Sequence, residues 1–303
     1  MPNLPYAFLD RLNRQFGAST AARIVAGFKA AKDRRPSFRV NTLKTEDQAV
    51  MAVLREEGIA FERAKGIPHA FFIRNRTDRE LLEHPLNQVG MIYLQGIVSM
   101  LPVLVLDPKP GEKVLDLCAA PGSKTTQMAA VMEARGRLMA VEDDAVRFQK
   151  LQNTLRIQGA DFVDARHEDA GGLSHSYDAA FDKILADVPC SAEGRTDLSD
   201  PRSHGYWSAS NVTAHAKLQR RLLRSAVRCL KPGGVLVYST CTLAPEENEL
   251  MVDWLLENFP ELKAESFALP LSDVKRWPNG SVTVLPTKDH EGFFVAKFQK
   301  RAS

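Results

Sequence analysis

The stretch Val114-Leu-Asp-Leu-Cys-Ala-Ala-Pro-Gly-Ser-Lys-Thr-Thr-Gln127 constrains this chain more than any other. Val114, Leu115 and Leu117 bracket Asp116, the pattern of a short strand buried on both faces. Residues Cys118, Ala119, Ala120, Pro121, Gly122 and Ser123 then turn the chain, and their small side chains let a ligand approach the backbone. A helical pattern resumes from Lys124, with Ser123 positioned to cap it. Strand, small-residue loop and helix form the opening βα unit of a doubly wound sheet, and ligands bind at such turns.

The loop excludes two common ligands. A dinucleotide fingerprint needs G-x-G-x-x-G, and this loop has one glycine. A phosphate loop needs glycines one and six positions before its lysine, where this chain has Ser123 and Cys118. Two carboxylates point to another cofactor. Asp116 lies in the first strand, and Glu142 ends the strand-like run 138–141, where an acid accepts both hydroxyls of a ribose. S-adenosyl-methionine has a ribose, no phosphate and a cationic sulfonium, and it fits.

The chain has 303 residues, 44% hydrophobic and 25% charged, enough for one large domain and a small one. No apolar run approaches the ~18 residues of a membrane span, and the first six residues lack the basic and apolar regions of a secretory signal. A cytoplasmic protein without a membrane partner is expected. The four cysteines, Cys118, Cys190, Cys229 and Cys241, include no C-x-x-C pair, so no metal is expected. The net charge of +3 is unevenly spread: residues 1–39 hold eight Lys/Arg against two acids. A basic N-terminal segment suits a polyanion such as RNA, and a solvated basic helix explains it as well.

In chain order, residues 5–32 read as helical with a break at Gly17. A β-α-β pattern follows over 38–40, 46–57 and 69–73. This predicts a small α+β unit over residues 1–90, of a kind that binds RNA on its sheet, although Phe71 and Phe72 read as core. Residues 87–106 read as an apolar connector broken by Pro102. From 91 to 303 the chain predicts a catalytic domain, an α/β fold with a doubly wound, mostly parallel sheet. Its strands are expected at 113–117, 137–142, 162–165, 183–188 and 235–240, with a terminal hairpin at 281–285 and 293–298. The helix predicted at 213–230 carries Lys217, Arg220, Arg221, Arg224 and Arg228, a stripe read as a solvated outer face in preference to a phosphate contact.

Cys190 and Cys241 each follow a strand. A parallel sheet would bring both to the edge that holds the 118–124 loop, with Asp187 beside them. Two thiols and a carboxylate beside a methyl donor suggest methylation at C5 of cytosine. C5 is a poor nucleophile, and addition of a thiolate at C6 raises its electron density. A base then removes the C5 proton and elimination frees the thiol. Cys229, inside a helix, reads as a buried hydrophobe.

At these residues the chain resembles the RNA 5-methylcytosine methyltransferases, the NOL/NOP2/Sun family with its bacterial ribosomal-RNA members. The matching stretches are 87–95 (NQVGMIYLQ), 116–125 (DLCAAPGSKT), 181–191 (FDKILADVPCS), 238–242 (YSTCT) with 245–248 (PEEN), and 292–297 (GFFVAK); 39–44 (RVNTLK) extends the resemblance into the small unit. The resemblance implies a Rossmann-like methyltransferase fold, with S-adenosyl-methionine against residues 118–124. It implies that Glu142 holds the ribose and Asp169 lies by the adenine amine. It sets Asp187 near the methionine end and the target base, Cys241 as the nucleophile, and Cys190 as an aid to proton removal or product release. DNA cytosine methyltransferases use the Pro-Cys thiol as nucleophile, so the reverse assignment is the main alternative. Ser191-Ala192 replaces the family's frequent Ser-Gly. The implied substrate is RNA, ribosomal in preference to transfer RNA, and a monomer is expected. A non-catalytic ribosome-assembly factor on the same fold is the alternative class.

Overall fold

A computed structural model describes residues 4–302; residues 1–3 and 303 lie outside it, and with them half of the stretch inspected for a secretory signal. Two amphipathic helices, α1 (Tyr6–Phe16) and α2 (Ala18–Lys29), open the chain on either side of Gly17. A small unit follows: β1 (Ser37–Val40), α3 (Asp47–Glu56), β2 (Phe61–Arg63), β3 (Ala70–Ile73), α4 (Asp78–Glu83), α5 (Pro85–Gln88) and β4 (Ile92–Leu94). Its antiparallel sheet has the order β2-β3-β1-β4. Phe38, Phe71, Val50, Leu54 and Ile73 are fully buried between sheet and helices, and the Phe38 and Phe71 rings stack. Phe71 is core, as expected, and Phe72 is half-buried under the Arg35 guanidinium at 4.5 Å.

The remainder runs α6 (Ile97–Leu106), β5 (Lys113–Asp116), α7 (Ser123–Val131), β6 (Arg137–Glu142), α8 (Ala145–Gln158), β7 (Asp164–His167), β8 (Phe181–Asp187), α9 (Ala209–Cys229), β9 (Leu230–Thr240), α10 (Glu249–Asn258), β10 (Leu262–Glu265), β11 (Val274–Arg276), β12 (Val282–Val284) and β13 (Phe293–Lys300). The large sheet has the order β11-β12-β13-β9-β8-β5-β6-β7, with β10 paired to β13. Strands β7, β6, β5, β8 and β9 are parallel, and β13 joins β9 antiparallel. The chain order reverses on the two sides of β5, so the crevice beyond β5 and β8 is the ligand position of this Rossmann-like fold.

Alternation along the strands divides the core. Val114, Leu138 and Ala140 face a cluster with α6, α7 and α8, while Leu115, Met139 and Val141 face α9 and α10. α6 corrects the expectation of a connector at 87–106. Eight of its ten residues are buried, Pro102 among them, so it has no polar face to give a helical period.

The 39–44 stretch fastens the small unit to the large one. The Asn41 amide donates to the Gly90 and Gln158 carbonyls, each at 2.8 Å, and Lys44 donates to Ile157 O at 2.6 Å. Gly90 sits at φ +75°, and a Cβ there would lie 2.0 Å from Ile157 O. Helices α1 and α2 pack on the large unit, with Phe8, Leu12, Ile24 and Phe28 against Leu243 and Leu285. Gly27 permits this: a Cβ would meet Pro286 O at 2.0 Å. Among the described residues no helix is long and apolar enough to cross a membrane.

Candidate active site

The loop after β5 turns through a cis Ala120–Pro121 bond and Gly122 at φ +106°. A Cβ on Gly122 would crowd Thr154 and Leu151 of α8 at 3.0 and 3.2 Å, so the loop needs glycine both for its backbone and for the helix beneath. The loop forms one wall of a cavity of about 450 Å³. Tyr93, Gln95 and Ser99 of the β4–α6 segment form a second wall, and Asp187, Cys190, Cys241, Arg195 and Phe293 close it.

Cys190 and Cys241 stand with their Sγ atoms 3.1 Å apart. Their hydrogen bond and burial push the Cys190 thiol well above its usual pKa. Lys124 bonds Asp187 Oδ2 at 2.7 Å and Ser99 Oγ at 2.8 Å. Burial opposes its charge, but Asp187 outweighs that and its pKa rises. Ser239 Oγ donates to the other Asp187 oxygen at 2.7 Å, so Asp187 is held from both sides. Arg195, paired with Glu291 at 3.2 Å, lines the same cavity as Lys124 and Cys241.

Asp116 is 1% exposed. Its Oδ2 accepts from Thr125 Oγ1 at 2.7 Å, and its Oδ1 has no partner. Burial pushes its pKa up to about 7. At the end of β6, Glu142 accepts from the amides of Ala120 and Asp144 and from Arg147, at 3.2–3.3 Å. A carboxylate has about four acceptor sites, so capacity for further donors remains. Glu142, Cys118, Asp143, Ala170 and Pro189 line a side slot continuous with the loop. Burial, reinforced by Asp116, also raises the Cys118 thiol pKa well above its usual value.

The structure brings Cys118, Ala119, Ala120, Pro121, Ser123, Lys124, Asp187, Cys190 and Cys241 to one cavity. Gly122 supports the loop from below and Glu142 lines the side slot. Asp169 stands apart. It lines neither, accepts from the amide of Gly171 at the start of the turn Ala170–His175, and pairs with Arg221, which lowers its pKa. Cys229 is fully buried in α9, as expected. Among the described residues no three His, Cys, Asp or Glu gather as metal ligands do.

Sequence reasoning missed the scaffold of the thiol pair. Glu247, fully buried after the Cys241 turn, accepts from Ser191 N at 3.1 Å, from Ser191 Oγ, and from Gln219 at 2.8 Å. Ser191 Oγ also meets Thr242 Oγ1 at 2.7 Å, and Gly194 N donates to Cys241 O at 3.0 Å. These bonds tie the Cys190 loop to the Cys241 turn. Ser191, Thr242 and Glu247 fall within the 181–191, 238–242 and 245–248 stretches, where none carried an assigned role.

A profile of the family described as "16S rRNA methyltransferase RsmB/F" matches residues 103–299. Ribosomal RNA small subunit methyltransferase F of Pectobacterium carotovorum is 37% identical over 314 residues, covering 99% of this chain and 63% of the relative. The chain thus spans less than two thirds of the length of that relative. The tRNA (cytosine(49)-C(5))-methyltransferase of Pyrococcus abyssi is 38% identical over 289 residues, covering 89% of each. A crystal structure of a methyltransferase homolog protein from Pyrococcus horikoshii superposes with a TM-score of 0.85 at 32% identity, over 98% of this chain and 96% of that one.

Proposed function

Because this chain belongs to the 16S rRNA methyltransferase RsmB/F family, we propose that it methylates C5 of a cytosine in RNA through a transient bond between Cys241 and C6. The reading rests on one observation: two thiols 3.1 Å apart face a cavity walled by the 118–124 loop and crossed by the Lys124–Asp187 pair. S-adenosyl-methionine, when bound, supplies an electrophilic methyl group.

The residues present suit that cofactor. The free Oδ1 of Asp116 is a buried acceptor suited to the ammonium of a methionine moiety. Glu142, at the side slot, would take the ribose hydroxyls. Asp169 would reach the adenine amine only by exchanging its Arg221 contact. Backbone and small side chains from Cys118 to Ser123 would lie along the cofactor, with Lys124 at its methionine end.

The target cytosine must leave its stack to enter the cavity. Asp187, held by Lys124 and Ser239, grips the N3/N4 edge of the ring. The Cys241 thiolate adds to C6, which moves the C5–C6 π electrons toward C5; C5 would then take the methyl group as its bond to the sulfonium breaks, the electron pair staying on sulfur to leave a neutral thioether. Cys190, adjacent to Cys241, assists removal of the C5 proton. The C–H electrons re-form the double bond and expel Cys241 as thiolate. Lys124 and Arg195 line the cavity in which this exchange takes place. The 90 N-terminal residues contribute to the choice of RNA in this reading.

Ribosomal RNA is the first candidate substrate, from the family description and the rRNA-named relatives. Transfer RNA is the second, favoured by the relative named for tRNA cytosine 49, which matches over 89% of both lengths. Bisulfite sequencing of both RNA classes, from cells with and without the gene, tests the reading. One cytosine signal lost from rRNA or tRNA supports it and identifies the substrate; unchanged signals in both contradict it.

A further inference from the structure

The basic stripe on α9 is more than a solvated face. The helix has no acidic residue in its 21 positions. From residue 217 to its end, every exposed position is basic: Lys217, Arg220, Arg221, Arg224 and Arg228. Like charges recur four residues apart at 217/221, 220/224 and 224/228, which weakens a helix unless something neutralises them. The helix dipole rewards cations only in the last turn, so it accounts for Arg228 and not for the others. One acid, Asp169, answers Arg221.

Two features hold these cations ready for a partner. The Arg220 and Arg224 guanidinium groups lie over the Trp254 ring of α10, at 5.5 and 5.1 Å. Beside them is an open groove of about 430 Å³ lined by Arg221, Arg224, Arg228, His175 and Asn258, with no carboxylate in its lining. The 11 steps from 217 to 228 extend the stripe about 16 Å along the helix. It starts near the cofactor slot, where Leu218 and Leu222 form a wall, and runs toward the sheet edge where Cys229 passes into β9. The thiols stand at the opposite edge, at the ends of β8 and β9.

We propose that this groove and stripe bind the phosphodiester backbone of a second segment of the substrate RNA, away from the target cytosine. The inference rests on RNA being the substrate, as proposed above. Guanidinium groups in an acid-free groove fit phosphate oxygens, which present paired acceptors. One half-buried aromatic ring, Phe259, also lines the groove, but its charged side chains are the three guanidinium groups, so the proposed contact is to the backbone and independent of sequence.

Binding of a labelled 20-base-pair RNA duplex, measured from 50 to 300 mM salt, tests the proposal without requiring methyl transfer. Its failure is therefore separate from failure of the cytosine reading. One variant carries Lys217→Gln, Arg224→Gln and Arg228→Gln, changes that a helix surface tolerates. A control of equal net charge carries Lys109→Gln, Lys263→Gln and Arg301→Gln, exposed cations scattered elsewhere. Far-UV circular dichroism and melting temperature verify that both are folded. The expected result is affinity about tenfold lower for the first variant, with a log–log salt slope shallower by about two to three, and little change in the control. Equal losses in both proteins, or no loss in either, would overturn the proposal.

Discussion

Asp116 is a buried carboxyl group with one unpartnered oxygen, and its pKa of about 7 makes it a source of pH dependence near neutrality. Its pKa in the fold lies above the unfolded value, so the native state binds the proton more tightly. The resulting stability is fully present below about pH 4 and is lost as pH rises through 7. An Asp116→Asn variant lacks this contribution. Urea titrations from pH 4.5 to 8 should show the wild type losing stability relative to the variant, by up to about 4 kcal/mol. Parallel profiles would contradict the assignment. Cysteine presents a different case at this scale. Cys190 and Cys241 were legible as functional because each follows a strand. Their 3.1 Å approach was not, since it depends on Glu247, Ser191 and Thr242 bonding across 51–56 residues of sequence. Asp169 shows the converse: the resemblance implied a place by the adenine amine, but Arg221, 52 residues away, holds its side chain.

Among the elements, periodicity decided what could be read in advance. β5, β6, β8 and α9 have clear apolar patterns and stood within a few residues of their expected bounds, whereas β9 begins five residues early at Leu230 and β7 (Asp164–His167) has a single apolar residue. β2, β4 and β11 have three residues each, too few for a period-two signal, and α6 is buried all round. The Cys190 loop belongs to no regular strand and is fixed by close approach. A Cβ on Gly194 would lie 2.2 Å from Gly292 O and 2.9 Å from Cys241 O. Gly194→Ala must therefore separate the loop from both neighbours. We expect a loss of about 1–3 kcal/mol in stability from overpacking, with turnover falling more steeply because the two thiols move apart. Calorimetry and initial rates measure the two effects, and unchanged rates would show that the thiol spacing does not govern turnover.

In the whole molecule, the N-terminal helices complete the large unit and also adjoin the active-site loops. Arg11 of α1 pairs with Glu193, two residues beyond Ser191 in the Cys190 loop, and Trp207 donates to the same carboxylate at 2.7 Å. Sequence charge alone could not distinguish this docking from an RNA-binding arm, because both need basic residues. Phe28 is fully buried at the junction, so Phe28→Ala should cost about 3–5 kcal/mol in urea denaturation. A loss below about 1 kcal/mol would mean that the helices do not form part of the folded core. The sheet order, reversing at β5, brings the loop at 118–124 and the two cysteine loops to the same crevice, and the proposed chemistry depends on that convergence. The most direct measurement is the migration of wild-type, Cys190→Ala and Cys241→Ala proteins on a denaturing gel after incubation with substrate RNA and S-adenosyl-methionine. The account predicts an RNA adduct that persists in Cys190→Ala, and in Cys241→Ala neither adduct nor turnover; an adduct formed by Cys241→Ala would contradict it.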